Sequence, residues 1–132
     1  MDDQVKRLML GEEHGFEWVK QNVVRCPISN SMDLLGKKFA VLILRNMLVY
    51  KQTRFKQFLG TIDGLNPKTL TARLRELERR GLIGRKVFPE VPPHVEYYLT
   101  EKGKALRPLL EQLAAYSIQN YPDRVFRKRY NH

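Results

Sequence analysis

The side chains whose types and spacing could recognise a ligand are concentrated between Asn66 and Gly81, in the run NPKTLTARLRELERRG. Lys68, Ala72, Arg75 and Arg79 recur at three- and four-residue intervals, flanked by Thr71 and Glu76, and so share one side of a helix. Leu70, Leu74 and Leu77 take the other side. Lys68, Thr69, Thr71 and Arg75 are donors of the kind that meet base edges or nearby phosphates in a major groove, and Ala72 is small enough to meet a thymine methyl. Arg79, with Arg54 and Lys56 upstream, suits the phosphate backbone, while Arg85, Lys86 and His94 make a second basic group downstream. The plain alternative is a solvated helix face, because amphipathic helices in general carry charge outside. One further group invites chemistry. Cys26 stands just before a short helix, where a thiol can lose its proton early and react with an oxidant or electrophile, and Arg25, Lys37 and Lys38 are near it in sequence. The alternative for a lone cysteine is a small buried hydrophobe.

Other chemistries lack their residues. His14, His94 and His132 are scattered, and with a single cysteine no zinc-ligand spacing exists, so neither metal nor cofactor is expected. Glu12, Glu13 and His14 have no second histidine one turn on. Gly81 and Gly84 lack the further glycine, Lys and Ser or Thr of a phosphate-cradling loop, and Ser29 and Ser31 lack a nearby base. No catalytic set is present, and an enzyme is not expected.

The elements that must position the basic residues are well marked. Asn66 can cap the helix, Pro67 fits its first position, and Gly81 suits a left-handed stop. Upstream, Thr53 is read as the cap of a short helix over Arg54 to Leu59, and Ile62 to Leu65 as the turn between the two, which together make a helix-turn-helix. Downstream, LIGRKVF, PEVPPH and VEYYLT read as strand, loop and strand; Val95, Tyr97 and Leu99 alternate with Glu96, Tyr98 and Thr100, which predicts one buried face. A helix followed at once by a basic ribbon is the layout of a winged helix-turn-helix.

The remaining segments serve that unit. FAVLILRNMLVY is apolar on most sides but far too short to span a bilayer, and suits a central core helix. Met1 to Val24, with Phe16 and Val19 among its apolar residues, reads as a helix interrupted at Gly11 and Gly15. Thr100 is expected to cap one long final helix containing Pro108, in which Leu106, Leu109, Leu110 and Leu113 form a stripe that needs cover. A second copy of the chain is the simplest cover, with the chain's own N-terminal helices as the alternative. Asp123 to His132 reads as a loose basic tail. The expected organisation is an N-terminal dimerisation extension over 1–25, a DNA-binding domain over 26–100, a dimerisation helix over 101–122 and the tail over 123–132.

Charge points the same way. The 132 residues hold 24 Lys plus Arg against 14 Asp plus Glu, a net +10, which favours double-stranded DNA or another polyanion as partner. No apolar run suggests a membrane segment or export signal, and a single cysteine fits the cytoplasm. The fold class expected is mostly α with a small β-ribbon, an α+β winged helix-turn-helix with extra terminal helices.

The run LTARLRELERRGLIGRKVFPEVPPHVEYYLTEKGKALRPLL, with CPISNSMDLLGKKFAVLILRNML before it, resembles the HxlR family of prokaryotic winged-helix transcriptional regulators, relatives of the MarR group. The resemblance covers roughly Cys26 to Tyr116; Phe39 stands where the family usually has Trp, and the N-terminal segment and tail lie outside the shared pattern. It implies a homodimer joined by terminal helices on a pseudo-palindromic operator, working in the cytoplasm at the nucleoid. It also implies that Cys26 matches a cysteine that in some members senses oxidants or electrophiles, which leaves a thiol or small-molecule response open. From residues alone, a second reading survives: a winged-helix protein that coats DNA without reading it, which needs little beyond charge.

Overall fold

A computed structural model describes residues 23–127, together with Asp3, Lys6 and Lys20. Phe16 and Val19, expected at a dimer interface, and the tail beyond residue 127 lie outside the described residues. The chain divides into two compact units, Met1–Lys37 and Lys38–His132, so the stretch expected as one domain over 26–100 crosses that division.

In the first unit, α1 (Pro27–Leu35) has Pro27 at its first position and Cys26 as its N-cap. The Cys26 carbonyl accepts from the Asn30 N–H at 3.0 Å. Arg25 braces the same turn, pairing with Asp33 and donating to Asn30 Oδ1 at 3.1 Å.

The second unit is built around α2 (Ala40–Leu48), in which Ala40, Ile43, Leu44, Met47 and Leu48 are all buried. Phe39 enters it in a left-handed conformation, φ 73°. Asn46 is also fully buried: its amide donates to Gln52 Oε1 at 3.0 Å and Thr61 Oγ1 at 2.9 Å, and its Oδ1 accepts from Arg45. Helix α3 (Phe55–Thr61) begins one residue later than expected, with Arg54 rather than Thr53 as N-cap. Gln57 decides this, since its Oε1 accepts from both the Thr53 and Arg54 amides, at 2.8 and 2.9 Å. Thr53 is engaged elsewhere, its carbonyl accepting from the Tyr97 N–H at 2.8 Å.

Helix α4 (Pro67–Arg79) has both ends as its sequence predicts. Asn66 Oδ1 accepts from the Thr69 N–H at 2.8 Å. Gly81 takes φ 82°, and the Gly81 and Leu82 amides reach back to the carbonyls of Glu78 and Leu77 at 3.0 and 2.9 Å, closing the end with a paired glycine stop. Leu70, Leu74 and Leu77 are buried, so α4 is fixed by its apolar stripe against α3 and the start of β1.

The ribbon follows without a linker. β1 (Ile83–Phe88) and β2 (His94–Leu99) pair antiparallel from Ile83 opposite Leu99 to Phe88 opposite His94. The expected buried face of β2 is only half realised: none of its residues is fully buried, and Val95, Glu96 and Tyr97 are all half-buried. Gly84 lies beneath the Tyr98 ring, where a Cβ would stand 2.1 Å from it.

The single long C-terminal helix is replaced by three pieces: α5 (Glu101–Lys104), α6 (Arg107–Asn120) and α7 (Pro122–Val125). Thr100 caps only α5, accepting from the Gly103 N–H at 3.2 Å. Pro108 has no N–H to give the Lys104 carbonyl, so the helix restarts with Pro108 in its first turn. Arg107 fastens the new start to α2 by donating to the Leu48 carbonyl at 2.9 Å, satisfying a helix-end acceptor. The expected tail likewise begins inside a helical turn, since Asp123 and Arg124 belong to α7.

Candidate nucleic-acid interface

With Leu70, Leu74 and Leu77 facing the core, the 3.6-residue repeat leaves Lys68, Ala72, Arg75 and Arg79 exposed on α4. Thr69 and Thr71 are half-buried at its flanks, while Glu76, expected beside the outer face, is buried next to Leu77 in sequence, on the side of the helix that packs on the core. Arg54 and Lys56 are exposed at the start of α3, and Arg85 and Lys86 on β1. Because the glycine stop joins α4 directly to β1, the two basic groups are held by one continuous piece of hydrogen-bonded backbone.

Not every cation of the region is available. The Arg73 guanidinium is committed to the protein, its Nε donating to the Lys38 carbonyl at 2.8 Å, which ties α4 to the start of α2. His94 is held inside the ribbon: its ring stacks on Phe88 at 4.6 Å, Nδ1 lies 3.1 Å from Glu90 Oε2, and Nε2 lies 3.9 Å from Glu96 Oε2. Lys86 Nζ stands 5.0 Å from the Phe88 ring centre, so it reaches solvent over an aromatic face.

Between α4 and the ribbon lies a cleft of about 220 Å³. Thr71, Arg75 and Glu78 line it from one face of the helix, and Arg85 and Tyr97 from the ribbon, where they are cross-strand partners. Phe55 and Leu74 supply its apolar lining. Glu78 and Tyr97 are absent from the residues that sequence singles out: Tyr97 reads only as a core-facing position of an alternating strand, and Glu78 only as solvated charge. No local spacing joins Glu78 to Arg85, and Tyr97 meets Arg85 only through the register of the ribbon.

A second concavity, about 260 Å³, runs between α2 and α6 and is lined mainly by Leu42, Leu48, Val49, Leu110 and Leu113, with Arg45 and Arg107 at its polar side. The residues expected to form an interface here are open: Leu109 and Leu113 are 42% and 49% exposed, and Leu106 and Leu110 half-buried. No residue of α6 is fully buried.

Cys26 is exposed rather than packed. The amides of Ser29 and Ile28, at the open end of α1, hold its thiol below the ordinary value, with the Ser29 hydroxyl adding to the effect and Arg25 contributing a smaller attraction. Among the described residues no three His, Cys, Asp or Glu side chains come together as a metal site, and no helix is long and apolar enough to cross a membrane.

A capped helix with an open cationic face, preceded by a short helix and turn and followed at once by an antiparallel ribbon, defines a winged helix-turn-helix DNA-binding protein of the transcription-regulator class. The chain belongs to the HxlR-like helix-turn-helix family, whose profile matches residues 34–125. It is 48% identical over 85 residues to the HTH-type transcriptional regulator sll1512 of Synechocystis sp., an alignment covering 64% of this chain and 62% of that protein. With the HTH-type transcriptional regulator YdeP of Bacillus subtilis the identity is 33% over 117 residues, covering 89% and 90% of the two. Among solved structures, the reduced form of the transcriptional regulator YodB from B. subtilis matches with a TM-score of 0.63 at 37% identity, covering 74% of this chain and 96% of that one. The redox regulator HypR in its oxidized form matches with a TM-score of 0.66 at 34% identity, covering 72% and 97%. The family and these relatives are transcriptional regulators, a class that acts by binding.

Proposed function

We propose that the protein is a cytoplasmic regulator that binds a pseudo-palindromic operator as a homodimer, with α4 in the major groove and the β1–β2 ribbon along the adjacent backbone. Lys68, Thr69 and Ala72 face base edges, and Arg54, Lys56, Arg79 and Lys86 serve the backbone. The observation that carries the reading is that Lys68, Arg75, Arg79 and Arg85 are exposed on two consecutive elements and make no ion pair with any described residue. Cations with no acidic partner in the protein keep their attraction for phosphate. The two-fold arrangement is supported by the open leucines of α6, and it requires half-sites about one helical turn apart or a multiple of it.

The test is fluorescence anisotropy of the purified protein on the duplex upstream of its own gene and on a scrambled copy, across a salt series. Preference for the native duplex by about a thousandfold or more at physiological salt is expected of a specific regulator. Equal binding that fades alike with salt would replace it with charge-driven coating.

The same reading makes the regulator thiol-responsive through Cys26. Its support is the exposed, acidified thiol, together with the redox behaviour named for the relative HypR. Treating wild type and Cys26→Ser with an oxidant such as diamide before the anisotropy measurement is the check. The reading requires a change in wild type that the variant lacks, and is lost if the two respond alike.

A further inference from the structure

The cleft between α4 and the ribbon brings Arg75 and Arg85 to one place although they come from different elements. Thr71, Arg75 and Glu78 follow one another at helical intervals of four and three, so they share a face of α4. Arg85 and Tyr97 sit directly opposite in the ribbon and share its face toward that helix. Neither guanidinium has an ion-pair partner among the described residues, although the Glu78 carboxylate lines the same cleft. Two unpaired planar donors, a hydroxyl and a phenol around about 220 Å³ form a receptor for one tetrahedral anion. The position decides which anion. Base edges lie at the floor of a groove, and Lys68 and Ala72, exposed on α4, stand outside the cleft lining. A cleft between helix and ribbon is entered only by a ridge of the duplex, which is its sugar–phosphate backbone.

The geometry points to a single-phosphate clamp in which Arg75 and Arg85 bind the same phosphodiester group of the DNA backbone, one from the recognition helix and one from the wing. The clamp rests on the DNA-binding reading above and refines it. Arg75 and Thr71 leave the set of base-reading residues, and Lys68, Thr69 and Ala72 remain in it. Glu78 opposes the bound anion and lowers the affinity of the clamp without affecting sequence preference.

The test uses the full chain and two duplexes, one selected by the wild-type protein from a randomised library and one scrambled. Arg75→Ala and Arg85→Ala are each expected to weaken both duplexes equally, by roughly tenfold, as expected for a charge-assisted phosphate contact. Because the two side chains share one phosphate, the double variant should lose far less than the product of the single losses. Its salt dependence should fall by about one counterion rather than two. Glu78→Gln, a surface change, is expected to tighten both duplexes by the same factor. Scanning the selected duplex with neutral methylphosphonate linkages should reveal one position per half-site that weakens wild type and leaves the double variant unchanged. Losses that multiply, or an Arg75→Ala effect confined to one base pair, overturn the clamp while leaving DNA binding intact. A library that yields no preferred duplex, with the two arginines still coupled on scrambled DNA, removes the sequence-specific reading and keeps the clamp. Absence of binding to any duplex removes both.

Discussion

At the scale of single residues, side chains of the same type have sharply different duties. Arg73 and Arg75 are two positions apart on one helix, yet Arg73 is spent on the Lys38 carbonyl and Arg75 opens into a cleft. Cys26 gives a direct measurement. The Ser29 and Ile28 amides favour its thiolate, so the folded-state pKa lies below that of an unfolded thiol. The excess thiolate therefore exists in the window between those two values and vanishes above the ordinary one. Alkylation by iodoacetamide, followed by mass spectrometry across pH, is expected to be faster in the folded than in the denatured chain near neutrality and to converge at alkaline pH. Asn46 is the other instructive residue. Fully buried and bonded to Arg45, Gln52 and Thr61, it joins α2 to α3. Asn46→Ala is expected to cost about 1–3 kcal/mol by leaving partly buried partners unpaired, read as a lower denaturation midpoint with an unchanged slope.

At the scale of elements, α4 is held by its ends as well as by its leucines. Asn66→Ala removes the acceptor for the Thr69 N–H and is expected to lower stability by about 1 kcal/mol. The loss of fold should be small enough that DNA binding at low temperature survives. A larger effect is expected where α5 meets the ribbon. A Cβ on Gly103 would stand 2.1 Å from the Leu82 carbonyl oxygen and 3.1 Å from Leu99 Cδ2. Since Leu82 also accepts from the Thr100 N–H and follows the α4 stop directly, the backbone there has little room to shift. Gly103→Ala is expected to cost about 1–3 kcal/mol or more, and calorimetry should show a larger fall in Tm than for Asn66→Ala. The pattern LTEKG at Leu99 to Gly103 announces a helix start, but the clash that excludes a side chain at Gly103 comes from Leu82, twenty-one positions back.

At the scale of the whole molecule, the open apolar surface of α6 is the outstanding feature. Leu109, Leu113, Tyr116 and Ile118 all remain over 40% exposed, on a helix with no fully buried residue. Such a surface calls for cover. Leu113→Lys is expected to leave the fold of one chain intact, because Leu113 is already about half exposed, and, on the homodimer proposed above, to turn a wild-type dimer into a monomer in sedimentation velocity. Operator affinity should fall with it, because one half-site then binds without its neighbour. A wild type that sediments as a monomer would remove the proposed dimer, and a dimer unchanged by this substitution would move its contact elsewhere.

The sequence by itself determined the elements from α2 to the ribbon and their order. The Asn66 cap, Pro67, the Gly81 stop, the leucine spacing of α4 and the turn at Gly64 are all decided within a few residues of backbone, where hydrogen-bond partners and φ preferences are local. The family resemblance rested on the runs from Cys26 to Leu48 and from Leu70 to Leu110, which include the α4 leucines and the Gly81 stop. Only the tertiary structure decided which side chains meet. It put Arg75 and Arg85 on one cleft, enclosed His94 between Glu90 and Glu96, buried Asn46 and exposed Cys26. Most of these outcomes depend on how elements far apart in the chain pack together. A spacing rule reaches three or four residues along a helix or to the facing residue of a ribbon, whereas the cleft that joins Thr71 to Tyr97 exists only once helix and ribbon have docked.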